Sequence, residues 1–110
     1  MLKIKIPKTI KICGKTYSIN YDNSRWGGSS ATAEQEIIIG SKKNQSPERI
    51  FENFVHEVME TFLIEKNLRY TSGDQEIMII MTHKQFDGFA VDISGIFYSL
   101  LMENKNGKTK

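Results

Sequence analysis

His56, Glu57 and Glu60, in the stretch FVHEVMETFL, are the residues whose types and spacing are best suited to chemistry. His56 and Glu60 are four residues apart, so on a helix their side chains lie one above the other. An imidazole and a carboxylate in this arrangement are suited to bind one zinc ion. Glu57 turns away from this pair towards the ion's open coordination position, where it is placed to accept a proton from water. The stretch therefore predicts a metal site with a general base.

The third predicted ligand is His83, the second of the two histidines in the chain. A catalytic zinc ion commonly has two histidines and one carboxylate as protein ligands, plus an open position. His83 lies in the first turn of a predicted second helix, at the flank of that helix's apolar stripe. We therefore predict zinc binding by His56, Glu60 and His83. Asp87, one turn later, is a rival ligand or a partner that orients the His83 ring.

Simpler interpretations of these residues stay open. His56 and Glu60 also fit a solvated helix face with a weak histidine–carboxylate pair. His83 also fits a polar residue beside a helix cap. Trp26, which precedes the Gly27-Gly28 pair, either lines a substrate groove or packs as an aromatic lid over the sheet edge.

The elements that must position these residues are strands in the first forty residues and helices after them. LKIKI alternates basic and apolar residues, which is typical of a half-buried strand. TIKICGKTYSINYD predicts a hairpin that turns at Gly14 and Lys15. NSRWGGSS reads as a loop, and ATAEQEIIIG reads as a further strand that ends at Gly40.

Ser46 and Pro47 predict the start of a first helix that runs to about Lys66. Thr82 and Gln85 form a capping box for a second helix, which runs to about Asn104. The Phe and Met residues of both helices are predicted to be core. The stretch EIMIIM, 76–81, is compatible with a strand or a helix. We predict an α+β fold with a small, mostly antiparallel N-terminal sheet followed by two packed long helices.

This order of elements, together with HEVME, resembles the minimal zincin fold of small SprT-like and phage-encoded metallopeptidases. The resemblance extends from about Ile12 to Leu101. In that family the helix carries H-E-x-x-H, whereas this chain has H-E-x-x-E, with Glu60 in place of the second histidine. The resemblance implies that His56 is a ligand, Glu57 the general base and His83 the downstream ligand. It also implies a phage or prophage protein.

The composition predicts one small cytoplasmic domain over 1–104 and a disordered basic tail over 105–110. The chain has 110 residues, 39% of them hydrophobic, and no apolar run long enough to cross a membrane. Cys13 is the one cysteine, so no intrachain disulfide is possible, and it is predicted to pack within a strand. The net charge of +2 is small, so nucleic-acid binding through the lysine-rich ends is a minority interpretation.

The sequence thus predicts a zinc-dependent peptidase that hydrolyses a peptide or protein substrate with an activated water. The strand ATAEQEIIIG is expected to offer an edge to which an extended peptide adds. The alternative is a non-catalytic binding or regulatory protein on the same scaffold, of phage or mobile-element type. Substrate, oligomeric state and biological process are not indicated.

Overall fold

The computed structural model describes residues 5–31, 33–71 and 77–105. It has an N-terminal sheet followed by two helices, which confirms the α+β fold class. The elements are, in chain order, β1 (Thr9–Ile12), β2 (Lys15–Asp22), β3 (Ser29–Ala31), β4 (Glu36–Gly40), α1 (Pro47–Glu65), β5 (Arg69–Thr71), β6 (Ile77–Ile79) and α2 (His83–Lys105). The predicted tail after Lys105 and residues 2–4 of the predicted strand LKIKI lie outside the described residues, and residues 5 and 6 are not in a strand.

The predicted hairpin is present as β1 and β2, which pair antiparallel with Ile12 opposite Lys15. Its turn lies at Cys13 and Gly14, one residue earlier than predicted, and both have positive φ angles of 52° and 80°. Glycine adopts this left-handed region without steric cost, whereas Cys13 must be held there by the tight turn. The prediction that Cys13 packs within a strand is wrong, because a turn position leaves its side chain exposed.

The four-stranded sheet has the order β1-β2-β4-β3. β2 and β4 are parallel, while β3 runs antiparallel to β4, so the sheet is mostly antiparallel as predicted. The expectation that ATAEQEIIIG offers a free edge is wrong, since β4 begins only at Glu36 and lies between two strands. The edge strands are β1 and β3, and β3, Ser29–Ala31, begins inside the stretch predicted to be a loop.

Helix α1 covers one face of the sheet. Its start is capped as predicted, because the Ser46 hydroxyl accepts a hydrogen bond from the backbone N–H of Arg49 at 3.1 Å. Burial of apolar surface between this helix and the sheet is the main stabilising contribution. The buried core consists of Ile12, Tyr17, Ile19, Ile37, Ile39, Phe54, Val58, Phe62 and Leu100.

Helix α2 packs along α1 through two aromatic pairs. Phe54 meets Phe97 with ring centroids 6.1 Å apart, and Phe62 meets Phe89 at 5.2 Å. The pairing order shows that the two helices are antiparallel. The predicted capping box is formed, since Thr82 and Gln85 exchange hydrogen bonds of 2.8 and 3.1 Å.

In the C-terminal part, the structure decides the conformation of residues 77–79 and corrects the predicted burial of Phe86. Residues 77–79 form β6, which pairs antiparallel with β5, so this part of EIMIIM is a strand. Phe86 is exposed rather than core, because the first turn of α2 extends beyond the last turn of α1. Among the described residues, no helix has the length and apolar character needed to span a membrane.

Candidate functional site

The candidate site is a groove of about 350 Å³ between α1 and the loop that leads into β3. Gly27 and Gly28 line it from the loop side, and Asn53, His56 and Glu57 line it from the helix. Arg49 and Glu52, which pair with each other at 3.3 Å, also line it. The three- and four-residue spacing of Asn53, His56 and Glu57 is enough to place these side chains on one face of α1.

Asn53 fixes the loop to the helix. Its side-chain amide donates to the carbonyl oxygen of Trp26 at 2.7 Å and to that of Gly40 at 3.0 Å. Asn53 is buried, so these two hydrogen bonds replace water for both backbone carbonyls. Gln45 donates a further hydrogen bond to the same Trp26 carbonyl at 2.8 Å. The loop before β3 is therefore held at a fixed distance from α1.

Gly28 lies against Glu57 of the helix, where a larger residue has no room. A Cβ atom at this position would lie 2.4 Å from the Ile38 carbonyl oxygen and 2.8 Å from Glu57 Cγ. Neither glycine of the Gly27-Gly28 pair has a positive φ angle, so the requirement here is space rather than backbone freedom. The roles of Gly28 and Asn53 as positioning residues were not predicted from the sequence. The Gly27-Gly28 pair was the one signal in the sequence. Nothing in the sequence indicated that Gly28 lies against Glu57 across the groove.

Glu57 forms the floor of the groove under Gly28 and is buried. Burial raises the pKa of its carboxyl group above the usual value, because the charged form loses water. The Glu60 carboxylate raises this pKa further, while His56, Arg69 and Arg25 lower it without reversing the shift. A glutamate with a raised pKa in a groove is suited to exchange protons.

His56 and Glu60 lie together as predicted, with Nε2 and Oε2 3.0 Å apart. His56 lines the groove, whereas Glu60, one turn later on α1, is not part of its lining. His56 Nε2 is also 3.9 Å from Glu57 Oε2, so all three side chains from FVHEVMETFL meet. Arg69 of β5 contacts the other oxygen of Glu60 at 3.2 Å. The Nε atom of Arg69 is buried and has no hydrogen-bond partner among the described residues.

His83 does not join this group. Six residues separate His56 from Phe62 on α1 and His83 from Phe89 on α2, in opposite directions along the antiparallel pair. At 1.5 Å per residue the two histidines are therefore about 18 Å apart along the helix axes. The His83 side chain is 89% exposed and pairs with Asp87, Nδ1 to Oδ2, at 3.4 Å.

Within the described ranges, no three His, Cys, Asp or Glu side chains are grouped to hold a metal ion. The structure thus brings together His56, Glu57 and Glu60 and leaves His83 and Asp87 at the far end of the helix pair.

Trp26 is half exposed, and Lys42 Nζ lies 5.3 Å from the centroid of its ring. Its backbone carbonyl, not its ring, makes the contact with the groove-forming Asn53.

Comparison with known proteins gives no relative from which a role could be transferred: no family profile, curated protein or solved structure matches the chain.

Proposed function

We propose that this protein is a small zinc-dependent hydrolase of the minimal zincin type that acts on extended peptides. The observation that carries the proposal is the His56–Glu60 pair, 3.0 Å apart, beside the buried Glu57 at one groove. The proposal keeps the cytoplasmic location expected from the sequence.

The donor atoms of α1 fit two ligand positions of a zinc site. Two ligands at about 2.1 Å from a tetrahedral zinc ion lie about 3.4 Å from each other, close to the separation of His56 Nε2 and Glu60 Oε2. Arg69, on the second oxygen of Glu60, is placed to orient that carboxylate. Zinc, when bound, supplies Lewis-acid polarisation of a carbonyl group. His83, the third ligand predicted from the sequence, is about 18 Å away along the helices, so zinc binding at this pair is expected to be weaker than at three ligands.

Glu57 is the proposed general base. Burial brings the pKa of its carboxyl group nearer to the operating pH. A pKa near this pH suits a group that must first accept a proton and then donate it. In the proposed reaction Glu57 accepts a proton from the attacking water and then donates it to the leaving amine. Its position under Gly28 keeps the carboxylate fixed at the floor of the groove.

The edge strand β3 is the proposed docking line for the substrate. Gly28 immediately precedes β3 and contacts Glu57, so a peptide paired with Ser29–Ala31 would pass over the carboxylate. Backbone hydrogen bonds to an edge strand bind an extended peptide with little dependence on its sequence.

The test combines metal analysis with hydrolysis of quenched fluorescent peptides. The zinc-loaded wild type is expected to cleave, Glu57→Gln to keep zinc and lose cleavage, and His56→Ala to lose zinc. His83→Ala is the matched control, since it removes the second histidine of the chain and is expected to keep zinc. A purified protein that neither binds zinc nor cleaves any peptide would overturn the proposal.

A second candidate is a non-enzymatic peptide-binding or regulatory protein on the same scaffold. It is favoured by the position of His83, since the described residues provide two zinc ligands instead of three. In that case, wild type and Glu57→Gln bind peptide with the same affinity and neither cleaves it. Loss of zinc on His83→Ala would instead support the three-ligand set implied by the family resemblance, with α2 moving towards His56.

A further inference from the structure

A second groove, of about 490 Å³, lies between strand β1 and helix α2. We call it the β1–α2 groove. It is lined from the strand by Thr9 and Lys11, and from the helix by Asp92, Gly95, Ser99 and Glu103. The sheet order β1-β2-β4-β3 places it at the opposite edge of the sheet from β3, which the candidate site adjoins. A ligand in the β1–α2 groove would therefore leave the groove beside Glu57 free.

The outer edge of β1 carries backbone groups that are oriented to pair with a further strand. Ile19 of β2 donates its backbone N–H to the carbonyl oxygen of Lys8 at 2.9 Å. Hydrogen-bonded and non-bonded positions alternate along an antiparallel strand, so the N–H and C=O groups of Thr9 and Lys11 point away from β2. Within the described part of the chain, no backbone group bonds to them from outside β2. The side chains of Thr9 and Lys11 are exposed, on the face of the strand away from the buried Ile12.

The helix wall leaves room for the side chains of an added strand. Successive side chains of a strand point to opposite faces, so alternate residues of a strand added at β1 would face α2, whose Leu100 packs in the core. The middle of the helix wall consists of Gly95 and Ser99, both of them exposed. A Cβ atom at Gly95 would meet nothing within 4 Å, so the space beside it is open. The centre of the β1–α2 groove therefore accepts small side chains.

The two ends of the helix wall are acidic. Asp92 and Glu103 are exposed and lie about 16 Å apart along α2. Among the residues that the structure describes, neither carboxylate has a cation within ion-pair distance. Lys66 lines the continuation of the groove beside Asp92, but its Nζ lies 5.7 Å from the centroid of the Phe62 ring. The groove therefore suits a ligand with positive charge at both ends of a stretch of about five extended residues.

We propose that the β1–α2 groove binds an extended, basic segment of a partner protein, which adds to β1 as a further strand. Backbone hydrogen bonds to Thr9 and Lys11 hold the segment. Two basic side chains, about four to six residues apart, face Asp92 and Glu103, and a small side chain between them lies beside Gly95. This binding is independent of hydrolysis at the candidate site, because the two grooves lie at opposite edges of the sheet.

The experiment is fluorescence anisotropy of the full chain with a labelled peptide of about ten residues. The peptide has lysine at its first and third inward positions, alanine at the second, and threonine at the outward positions. It is expected to bind, and a peptide with glutamate in place of both lysines should bind about tenfold more weakly or worse. N-methylation of one alternate set of its amides should abolish binding, and methylation of the other set should preserve it, because only alternate amides face β1.

Variants of the protein locate the binding site. Gly95→Leu should weaken binding about tenfold, because the new side chain fills the groove, and it should fold normally, since the space is open. Ser94→Leu is the matched control, because Ser94 is exposed on the same helix but does not line the groove. Glu103→Gln should weaken binding about threefold at low salt, whereas Glu48→Gln, the removal of an exposed acid on α1, should not.

The proposal is overturned if neither peptide binds, if both methylated peptides bind equally, or if Gly95→Leu and Ser94→Leu have the same effect. Peptide binding that appears only after residues 106–110 are deleted would also overturn it, since the chain's own end would then be the occupant. So would a dimer in sedimentation equilibrium that Gly95→Leu dissociates, because the occupant would then be a second copy. Glu57→Gln should bind the peptide as the wild type does, so this outcome does not depend on whether the protein is a hydrolase.

Discussion

The molecule contains two histidine–carboxylate pairs of the same spacing, and they lie in very different surroundings. His56 and Glu60 are 3.0 Å apart on the middle of α1, and His83 and Asp87 are 3.4 Å apart on the first turn of α2. The first pair adjoins a buried glutamate, Glu57, and a cation from β5. The second pair projects into solvent, with 89% and 63% of the two side chains exposed.

Four-residue spacing on a helix brings two side chains together but does not by itself make a functional site. What distinguishes the first pair is the fixed wall opposite the helix, which Asn53 holds in place through two backbone carbonyls. That wall buries Glu57 and raises the pKa of its carboxyl group. Because the second pair has no comparable wall, its two side chains stay mostly exposed to water and interact only weakly.

The largest expected effect is on the free energy of unfolding. It compares alanine substitutions of two glycines, Gly28 beside the first pair and Gly88 beside the second. Gly28→Ala should lower the free energy of unfolding by about 3 kcal/mol, because the added methyl group meets a backbone carbonyl that cannot move aside. Gly88→Ala, next to Asp87, should raise it by up to about 1 kcal/mol, because the space is open and alanine favours the helix. Urea denaturation of both variants at the same low protein concentration measures the difference. Equal effects of the two substitutions would show that Gly28 is not the contact that closes the groove.

The next effect is the pH dependence that Glu57 contributes to stability. Its pKa is raised in the folded state, so the folded protein binds this proton more tightly than the unfolded chain. Folding stability therefore falls as pH rises from the unfolded pKa of about 4.3 through the folded pKa. Glu57→Gln, which keeps the shape without the charge, should remove this loss and make the protein more stable than wild type at neutral pH. This gain in stability over wild type should shrink as the pH falls through the folded pKa of Glu57 towards its unfolded pKa.

Urea denaturation in the presence of a metal chelator, from pH 4 to pH 8 by about one-unit steps, is the measurement for Glu57→Gln. Asp87→Asn is the matched control, since Asp87 is the exposed acid of the other pair, and its effect should stay within about 0.5 kcal/mol at every pH. A Glu57→Gln variant that is less stable than wild type at neutral pH would mean that the buried carboxylate has a stabilising partner.

Local signals in the sequence predicted local structure well. The Ser46 cap, the capping box of Thr82 and Gln85, and the hairpin at Gly14 were all readable, because each depends on residues close together in the chain. The pairing of His56 with Glu60 was readable for the same reason. Strand β3 was missed because Ser29–Ala31 has no apolar alternation, and it is a strand only through its pairing with β4.

The position of His83 could not be predicted, because a helical wheel gives the direction of a side chain around the helix axis. It does not give the position of that residue along the axis relative to a residue on another helix. The height of His83 relative to His56 depends on how far α2 is shifted along α1, which the Phe62–Phe89 contact sets. The groove wall was hidden for a related reason. Asn53 holds the loop that contains Gly28, but the two residues are 25 positions apart in the chain, and no spacing rule connects them.

The smallest expected effect is the coupling within each pair, measured by double-mutant cycles. His56→Ala, Glu60→Ala and the double variant should give a coupling free energy of about 1 kcal/mol, because Glu60 is two-thirds buried and also held by Arg69. The cycle of His83→Ala and Asp87→Ala should give about 0.3 kcal/mol or less, as for exposed helix pairs. Both cycles are to be measured at mildly acidic pH, where histidine tends to be charged, and repeated at high salt. Salt should reduce the second coupling towards zero and leave most of the first, because the Glu60 side chain is only 30% exposed and is also paired with Arg69. Equal couplings with equal salt dependence would mean that the groove does not set the two pairs apart.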